Sequence, residues 1–244
     1  MPEQQVSPAK MTEAGRLAGI FWEPRPVFQD LAACPRFWVP LILMTLLSVV
    51  LVTSISQIVG FESITRRQIE ANPRTAEMPP EQRERAIQMG LRFAVPGAYA
   101  SAALGFAVMA LVIAGALLGS VNLLGGAKLR FRQTFSITCY SFLPTGLGTI
   151  LTLVVMLLKD PADFDLQNPL PLNVGAFLDR SAVGGFLHSL ASSIDLFSLW
   201  VILLLALGFS TAAKRMSYGK ALALILLPWG IYVLLKSAFA GITG

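Results

Sequence analysis

Ionisable side chains that could carry chemistry are scarce in the long apolar stretches of this chain. Asp195 and Lys236 are the two charged residues within them, each near one end, and His188 is the only histidine. Membrane-buried carboxylates and amines relay protons or hold ions, and a metal site needs several converging ligands. The sequence also lacks HExxH, GxSxG and P-loop patterns. We therefore predict no catalytic residue, no metal, no cofactor and no enzymatic activity.

Asp195 has two explanations. It follows Ser192 and Ser193 and opens an apolar stretch. A carboxylate in the first turn of a helix accepts hydrogen bonds from the free amides there, so capping is the commoner role. Contact with a cation or a protein partner is the alternative, because carboxylates at membrane depth are often functional.

A short basic loop is the second candidate site. Lys128, Arg130 and Arg132 alternate with Leu129 and Phe131. Such a loop can place its charges among anionic headgroups, at about 1 kcal/mol per basic residue, while its apolar side chains enter the interface. The alternative is that these charges only determine topology.

Two prolines, Pro144 and Pro228, stand well inside apolar stretches. Each removes a backbone hydrogen bond and predicts a helix bend, and hydroxyls near Pro144 can satisfy part of the freed backbone. Such bends shape a helix bundle or, less commonly, act as hinges for transport.

The elements that position these residues are long apolar helices. Of the 244 residues, 55% are hydrophobic and 14% are charged, whereas soluble domains are about a quarter charged. A helix crosses the hydrocarbon core with about 20 residues. We predict an all-α, polytopic membrane helix bundle, residues 38–244, with five transmembrane helices. The five stretches are about 38–59, 93–118, 135–158, 194–213 and 221–240.

Residues 1–37 are predicted to contain a tail and two short amphipathic helices. In the first, apolar side chains share one face, and a similar set follows Pro26. These are Ala14, Leu17, Ala18 and Phe21, then Phe28, Leu31 and Ala32. We expect both helices to lie on the membrane surface, and packing against protein is the alternative.

The distribution of Lys and Arg predicts the orientation. The loops at 128–132 and 214–220 are short and purely basic, which favours the cytoplasmic side. We therefore expect a multi-pass membrane protein with a cytoplasmic N-terminus. The net charge of +5 is spread over several loops, so membrane lipids and not nucleic acid are the expected partners. The longest loops are predicted to carry a solvated helix at 81–89 and an amphipathic segment at 177–190.

Small residues recur every fourth position in two stretches. They are Gly97, Ser101 and Gly105, then Gly115 and Gly119, and in the next stretch Ser141, Thr145 and Thr149. Such spacing lets helices approach closely in lipid. We expect packing within the chain, with homo-oligomer formation as the alternative. Cys34 and Cys139 are expected to be inert packing residues.

The sequence resembles the Ypt-interacting protein (YIP) family of five-span membrane proteins. The resemblance rests on the entry to the first span at Pro35, Trp38 and Pro40, the Gly125-Gly126 loop leading to Tyr140, Ser141 and Pro144, and the run from Trp200 to Gly208. It implies a cytosolic N-terminus, and eukaryotic members bind Rab-type GTPases and support vesicle formation. Eukaryotic members carry a longer hydrophilic region before the first span that is implicated in partner binding, so the short segment here gives no support to GTPase binding. It is more similar to the prokaryotic branch, which implies a location in the bacterial inner membrane.

Two functions remain open from the sequence. The first is a non-enzymatic membrane scaffold or adaptor that engages lipids and an unidentified protein partner, in membrane organisation or trafficking. The second is a transporter or lipid-handling protein, in which bends at Pro144 and Pro228 open a path between spans.

Overall fold

The computed structural model describes residues 11–71, 75, 78–160, 164, 168–213 and 215–243. The regular elements in this part of the chain are helices, with one isolated bridge between Asn173 and Asp195. They are α1 (Glu13–Trp22), α2 (Pro24–Ala33), α3 (Trp38–Ile58), α4 (Phe61–Ala71), α5 (Pro80–Gly119), α6 (Phe131–Ser141), α7 (Leu143–Leu158), α8 (Arg180–Ser192), α9 (Leu196–Ala212) and α10 (Tyr218–Thr243). A π-helical turn, Ser120–Leu124, extends α5.

Four helical segments in the described residues are long and apolar enough to cross a membrane: Trp38–Ile58, Pro80–Leu124, Phe131–Leu158 and Tyr218–Ile242. The predicted all-α membrane bundle is therefore confirmed. The apolar helix α9 has 17 residues, about 25 Å at 1.5 Å per residue, which is short for a hydrocarbon core of about 30 Å. The fifth crossing stays a prediction.

Helix α5 joins two elements that the sequence treats separately. The solvated helix predicted at 81–89 and the span predicted at 93–118 are one helix, Pro80–Gly119, with Pro96 inside it. A helix satisfies its backbone internally in water and in lipid alike, so the change from charged to apolar side chains at Arg92 does not end it.

The stretch predicted as one span at 135–158 contains two helices. Helix α6 ends at Ser141, Phe142 forms a turn, and Pro144 stands in the first turn of α7. Thr145 Oγ1 donates a hydrogen bond to the Phe142 carbonyl over 2.7 Å, so a nearby hydroxyl does satisfy part of the interrupted backbone. Pro228 lies within the uninterrupted helix α10.

The structure divides into two compact units. The first comprises Met1–Leu41, Met109–Gly146 and Pro171–Gly244, and the second comprises Ile42–Val108 and Leu147–Leu170. The division of the chain at residue 38 into an N-terminal part and a membrane part stays a prediction.

Helix α9 lies at the centre of the first unit. It packs against α2, α6 and α10, and its buried residues include Val201, Leu205 and Phe209. Helix α8 packs on α10, where Gly185 is close to the Ala240 carbonyl and Lys236 donates a hydrogen bond to Ser193 Oγ over 3.2 Å. The predicted amphipathic segment at 177–190 is thus partly a protein-packed helix.

The second unit has a separate apolar core. Val59, Met156 and Phe164 are buried, and Ile55 and Leu153 pack against them. This core joins the end of α3 to α7.

Candidate functional site

The N-terminal helices α1 and α2 pack against protein, which the sequence left as the alternative to a position on the membrane surface. Val27, Phe28 and Leu31 are fully buried, and α2 contacts α6 and α9. Gly208 of α9 permits this approach, because an added Cβ would lie 2.5 Å from Ile137 Cγ2 and 3.0 Å from the Phe28 ring. The pair is therefore part of the first unit's core.

A buried arginine fastens the two helices to each other. The side chain of Arg16 is fully buried. Its Nε donates to Asp30 Oδ2 over 2.6 Å and its NH1 donates to Glu13 Oε1 over 3.0 Å. Its NH2 points to the Cys34 carbonyl at 3.4 Å, at the C-terminal end of α2, where helices favour positive charge. Arg16 thus has a charged or polar partner for each nitrogen.

The same group reaches α6 and the start of α3. Tyr140 OH donates to Glu13 Oε2 over 2.7 Å, and Arg36 NH1 lies 3.2 Å from Glu13 Oε1. Burial by itself lowers the pKa of Arg16, but the hydrogen bond with Asp30 and the charges of Glu13 and Asp30 raise it above its usual value. The guanidinium therefore stays charged. We call Glu13, Arg16, Asp30, Arg36 and Tyr140 the N-terminal ionic cluster.

The predicted apolar face of α1 is only partly buried: Leu17 and Phe21 are half-buried, and Phe21 packs against Trp200 of α9. Arg16 and Ile20 are buried, whereas Ala14 and Ala18 are exposed. Hydrophobic periodicity assigns an arginine to the solvent side, and it cannot register carboxylates that arrive from α2. The Glu13 to Arg16 spacing of one helical turn is the local signal that was available.

The basic loop before α6 is held by side-chain hydrogen bonds from within the first unit. The Asn122 side-chain amide donates to the Leu129 carbonyl over 2.9 Å and accepts from the Leu129 amide over 3.1 Å. Gln133 accepts from the Arg130 amide over 3.0 Å and donates to the Ala32 carbonyl of α2 over 2.9 Å. Leu129 is buried in protein, so the expectation that it enters the lipid interface was wrong. Phe131 is 43% exposed and free to do so.

The second basic loop lies beside the first. Lys220 Nζ donates to the Gly125 carbonyl over 2.9 Å, and Gly125 lies against Met216 and Leu224. Gly126 adopts a positive φ of 70°, which favours glycine. Five exposed cations result, and we call them the basic surface: Lys128, Arg130, Arg132, Arg215 and Lys220. Lys214 lies outside the described residues.

Asp195 lies at the other end of α9 from the basic surface. Its Oδ1 accepts hydrogen bonds from the amides of Phe197 and Ser198, each over 3.0 Å. It is the N-cap of α9. A further contact with a cation or partner stays a prediction, as does any hinge motion at Pro144 or Pro228.

Helix α6 is unusually polar for a buried helix. Thr134, Ser136, Thr138 and Ser141 are fully buried. Ser136 and Thr138 donate to backbone carbonyls four residues earlier. Cys139 is buried and Cys34 is half-buried. In the part of the chain that the structure describes, no three His, Cys, Asp or Glu residues converge to hold a metal.

The small residues of α5 do not serve packing within the chain as expected. Among the residues that the structure describes, none of another element would lie within 4 Å of a Cβ added at Gly97, Gly105, Gly115 or Gly119. The packing explanation was therefore wrong for these four glycines, and their faces are open to lipid or to another molecule.

Comparison with known proteins agrees with this architecture. The family model described as the Yip1 domain matches residues 18–239, which extend from α1 through most of α10. No curated protein and no solved structure matches the chain. Because the family match covers most of the chain, the resemblance to YIP proteins is confirmed, and this multi-pass membrane protein belongs to the Yip1 domain family.

Proposed function

We propose that the chain is a non-enzymatic membrane scaffold or adaptor. Its basic surface binds anionic lipid headgroups, and its N-terminal helices bind a protein partner. The observation that carries this proposal is the junction of the two basic loops through Lys220 and Gly125. Two segments that are distant in sequence form one cationic surface.

Electrostatics favours this assignment. Juxtamembrane cations contribute about 1 kcal/mol each toward an anionic membrane. Lys128, Arg130 and Arg132 are exposed beside the exposed ring of Phe131. Loops that only determined topology would not need the support that Asn122 and Gln133 give to this one.

The proposed topology has a cytoplasmic N-terminus and five crossings in a bacterial inner membrane, with α9 as the fourth crossing in chain order. The purely basic loops support this orientation.

The partner-facing surface of the N-terminal helices is proposed to include Trp22 and Arg25. Trp22 is 84% exposed, and Arg25 is also exposed. Tryptophan and arginine are the residue types that most often dominate protein interfaces. The ionic cluster holds these side chains in a defined position relative to the basic surface.

The test combines lipid analysis with crosslinking. Lys128, Arg130 and Arg132 are replaced by glutamate, and the control replaces the exposed arginines Arg85 and Arg92 of α5 by glutamate. We expect the first variant, purified with its lipids, to lose its excess of anionic over zwitterionic lipid by about tenfold, because several attractive contacts of about 1 kcal/mol each become repulsive. The control keeps that excess.

A photocrosslinking amino acid at Trp22 in native membranes then identifies the partner. The scaffold proposal predicts one recurrent protein, with crosslinking reduced in the Arg25→Glu variant. Recovery of no protein, together with lipid flipping or solute uptake in liposomes that contain this chain alone, would contradict it.

A second candidate function is lipid handling. It is favoured by an open cleft in the second unit, between α3, α4 and α5. The cleft is lined by neither Pro144 nor Pro228, so it supports lipid binding and gives no support to a path opened by those bends.

A further inference from the structure

Helix α4 and the helices beside it, α3 and α5, surround an open cleft. Gly60, with a φ of 79°, turns the chain at the end of α3 so that α4 follows directly. Helices α4 and α5 are in contact at Gly90, where an added Cβ would lie 2.9 Å from Thr65 Cγ2. Arg66 joins them further from the apolar stretch, through Glu84 at 3.3 Å.

The helices are again in contact in the apolar part of α5, where the ring centroids of Phe61 and Tyr99 are 6.4 Å apart, but they leave a space at Gly97. At Gly97, about two turns beyond Gly90, an added Cβ would meet no described residue within 4 Å. The space between α3, α4 and α5 is a cleft of about 360 Å³. Its walls are mainly apolar, with Val52, Ile55 and Ala98, and the α4 side adds Thr65 and Gln68.

The position of the cleft matches the boundary of a membrane. Arg92 is exposed and is followed by the apolar stretch that begins at Phe93, while the lining residues of α5 start at Ala94. The part of the cleft beside Gly97 and Ala98 is thus level with hydrocarbon. The end beside Gln68 is level with headgroups, because this part of α4 lies along the charged half of α5.

We propose that this cleft binds one phospholipid of the bilayer, with an acyl chain against α3 and α5 and the glycerol ester region near Thr65 and Gln68. The walls match an amphiphile that is apolar for most of its length and polar at one end. An acyl chain gives the apolar walls the dispersion contacts that an empty or hydrated cleft lacks.

This site is independent of the basic surface, which belongs to the first unit. It requires no anionic lipid, and its expected occupant is the bulk phospholipid. Failure of one proposal therefore leaves the other standing.

The test uses a phospholipid that carries a photoreactive diazirine in its acyl chain, with the full-length protein in nanodiscs. Gly97→Leu fills the cleft without striking another element. Gly105→Leu is the matched control, because Gly105 lies on the same helix with equally open surroundings but does not line the cleft. Ser101→Leu, at a second lining residue, repeats the test by another substitution.

We expect labelling of the peptides around Val52 and Gly97 in the unaltered protein. Labelling falls about tenfold in Gly97→Leu, the ratio that corresponds to about 1.4 kcal/mol of binding free energy, and is unchanged in Gly105→Leu. Ser101→Leu is expected to reduce labelling as well. Equal labelling in all variants would overturn the proposal, and so would loss of a dimer in Gly97→Leu, which would make the cleft a contact between copies of the chain.

Discussion

Arg16 and Arg66 make the same set of contacts in different surroundings. Each arginine joins two helices by pairing with two carboxylates, Glu13 and Asp30 for Arg16, and Glu62 and Glu84 for Arg66. The side chain of Arg16 is fully buried, whereas that of Arg66 is 39% exposed. The difference is the solvent, and it decides what each arginine contributes.

A buried ion pair is costly to break because the remaining charges lose both water and partner. An exposed pair exchanges its partner for water and contributes little. The packing of the N-terminal helices therefore depends on the Arg16 side chain. Loss of the Arg66 contact is expected to cost α4 and the charged half of α5 little stability. Both arginines have a pKa above the usual value, so the direction of the pKa shift does not distinguish the buried pair from the exposed one.

The largest expected effect is that of Arg16→Met. Glu13 and Asp30 would be left without their shared partner, and we expect the opening free energy of α1 and α2 to fall by about 3 kcal/mol. Hydrogen exchange of the α1 amides measures this. The matched control is Arg66→Met. Protection of α1 within 1 kcal/mol of the unaltered protein would contradict the assigned role of Arg16.

Tyr140→Phe sharpens the comparison by removing one neutral member of the buried cluster. The bond of 2.7 Å to Glu13 is lost while the ring is kept, and we expect a loss of about 1–2 kcal/mol in the same measurement. If the variant were as stable as the unaltered protein, the contact between α1 and α6 would depend on apolar packing alone.

Arg66→Met is expected to lower the opening free energy of α4 only slightly, because the exposed carboxylates exchange their partner for water. A salt series separates the two arginines further. At about 1 M salt the Debye length is about 3 Å, so ions in solution weaken the exposed pair. The effect of Arg66→Met is therefore expected to shrink as salt is added, while that of Arg16→Met persists. Equal salt dependence of the two variants would show that water reaches the Arg16 cluster.

The smallest effect is expected for Asp195→Asn, a carboxylate that stabilises a helix end without any arginine. Asparagine is as good an N-cap as aspartate, so we expect the thermal stability of the protein in detergent to change by only a few tenths of a kcal/mol. Asp195→Ala removes the cap and is expected to cost about 1 kcal/mol. An equally large loss for asparagine would indicate an ionic role for Asp195.

The candidate sites were predictable to different degrees. Lys128, Arg130 and Arg132 stand together in sequence, so their shared position needed no tertiary information. Arg16 was missed, because its partner Asp30 is 14 residues away and Tyr140 lies 127 residues beyond Glu13. The cleft beside Gly97 was also missed. Small residues at helical spacing predict a helix face without large side chains, but they do not indicate whether another helix packs against that face.

Membrane location and helical structure are properties of the sequence by itself. A long apolar run has to satisfy its backbone within the segment when it enters lipid, so Trp38–Ile58 or Tyr218–Ile242 is a helix whatever surrounds it. The tertiary structure alone decided which charges are buried and where a cleft remains between helices. Pairing and separation depend on residues brought together from distant segments, and no local pattern contains that information.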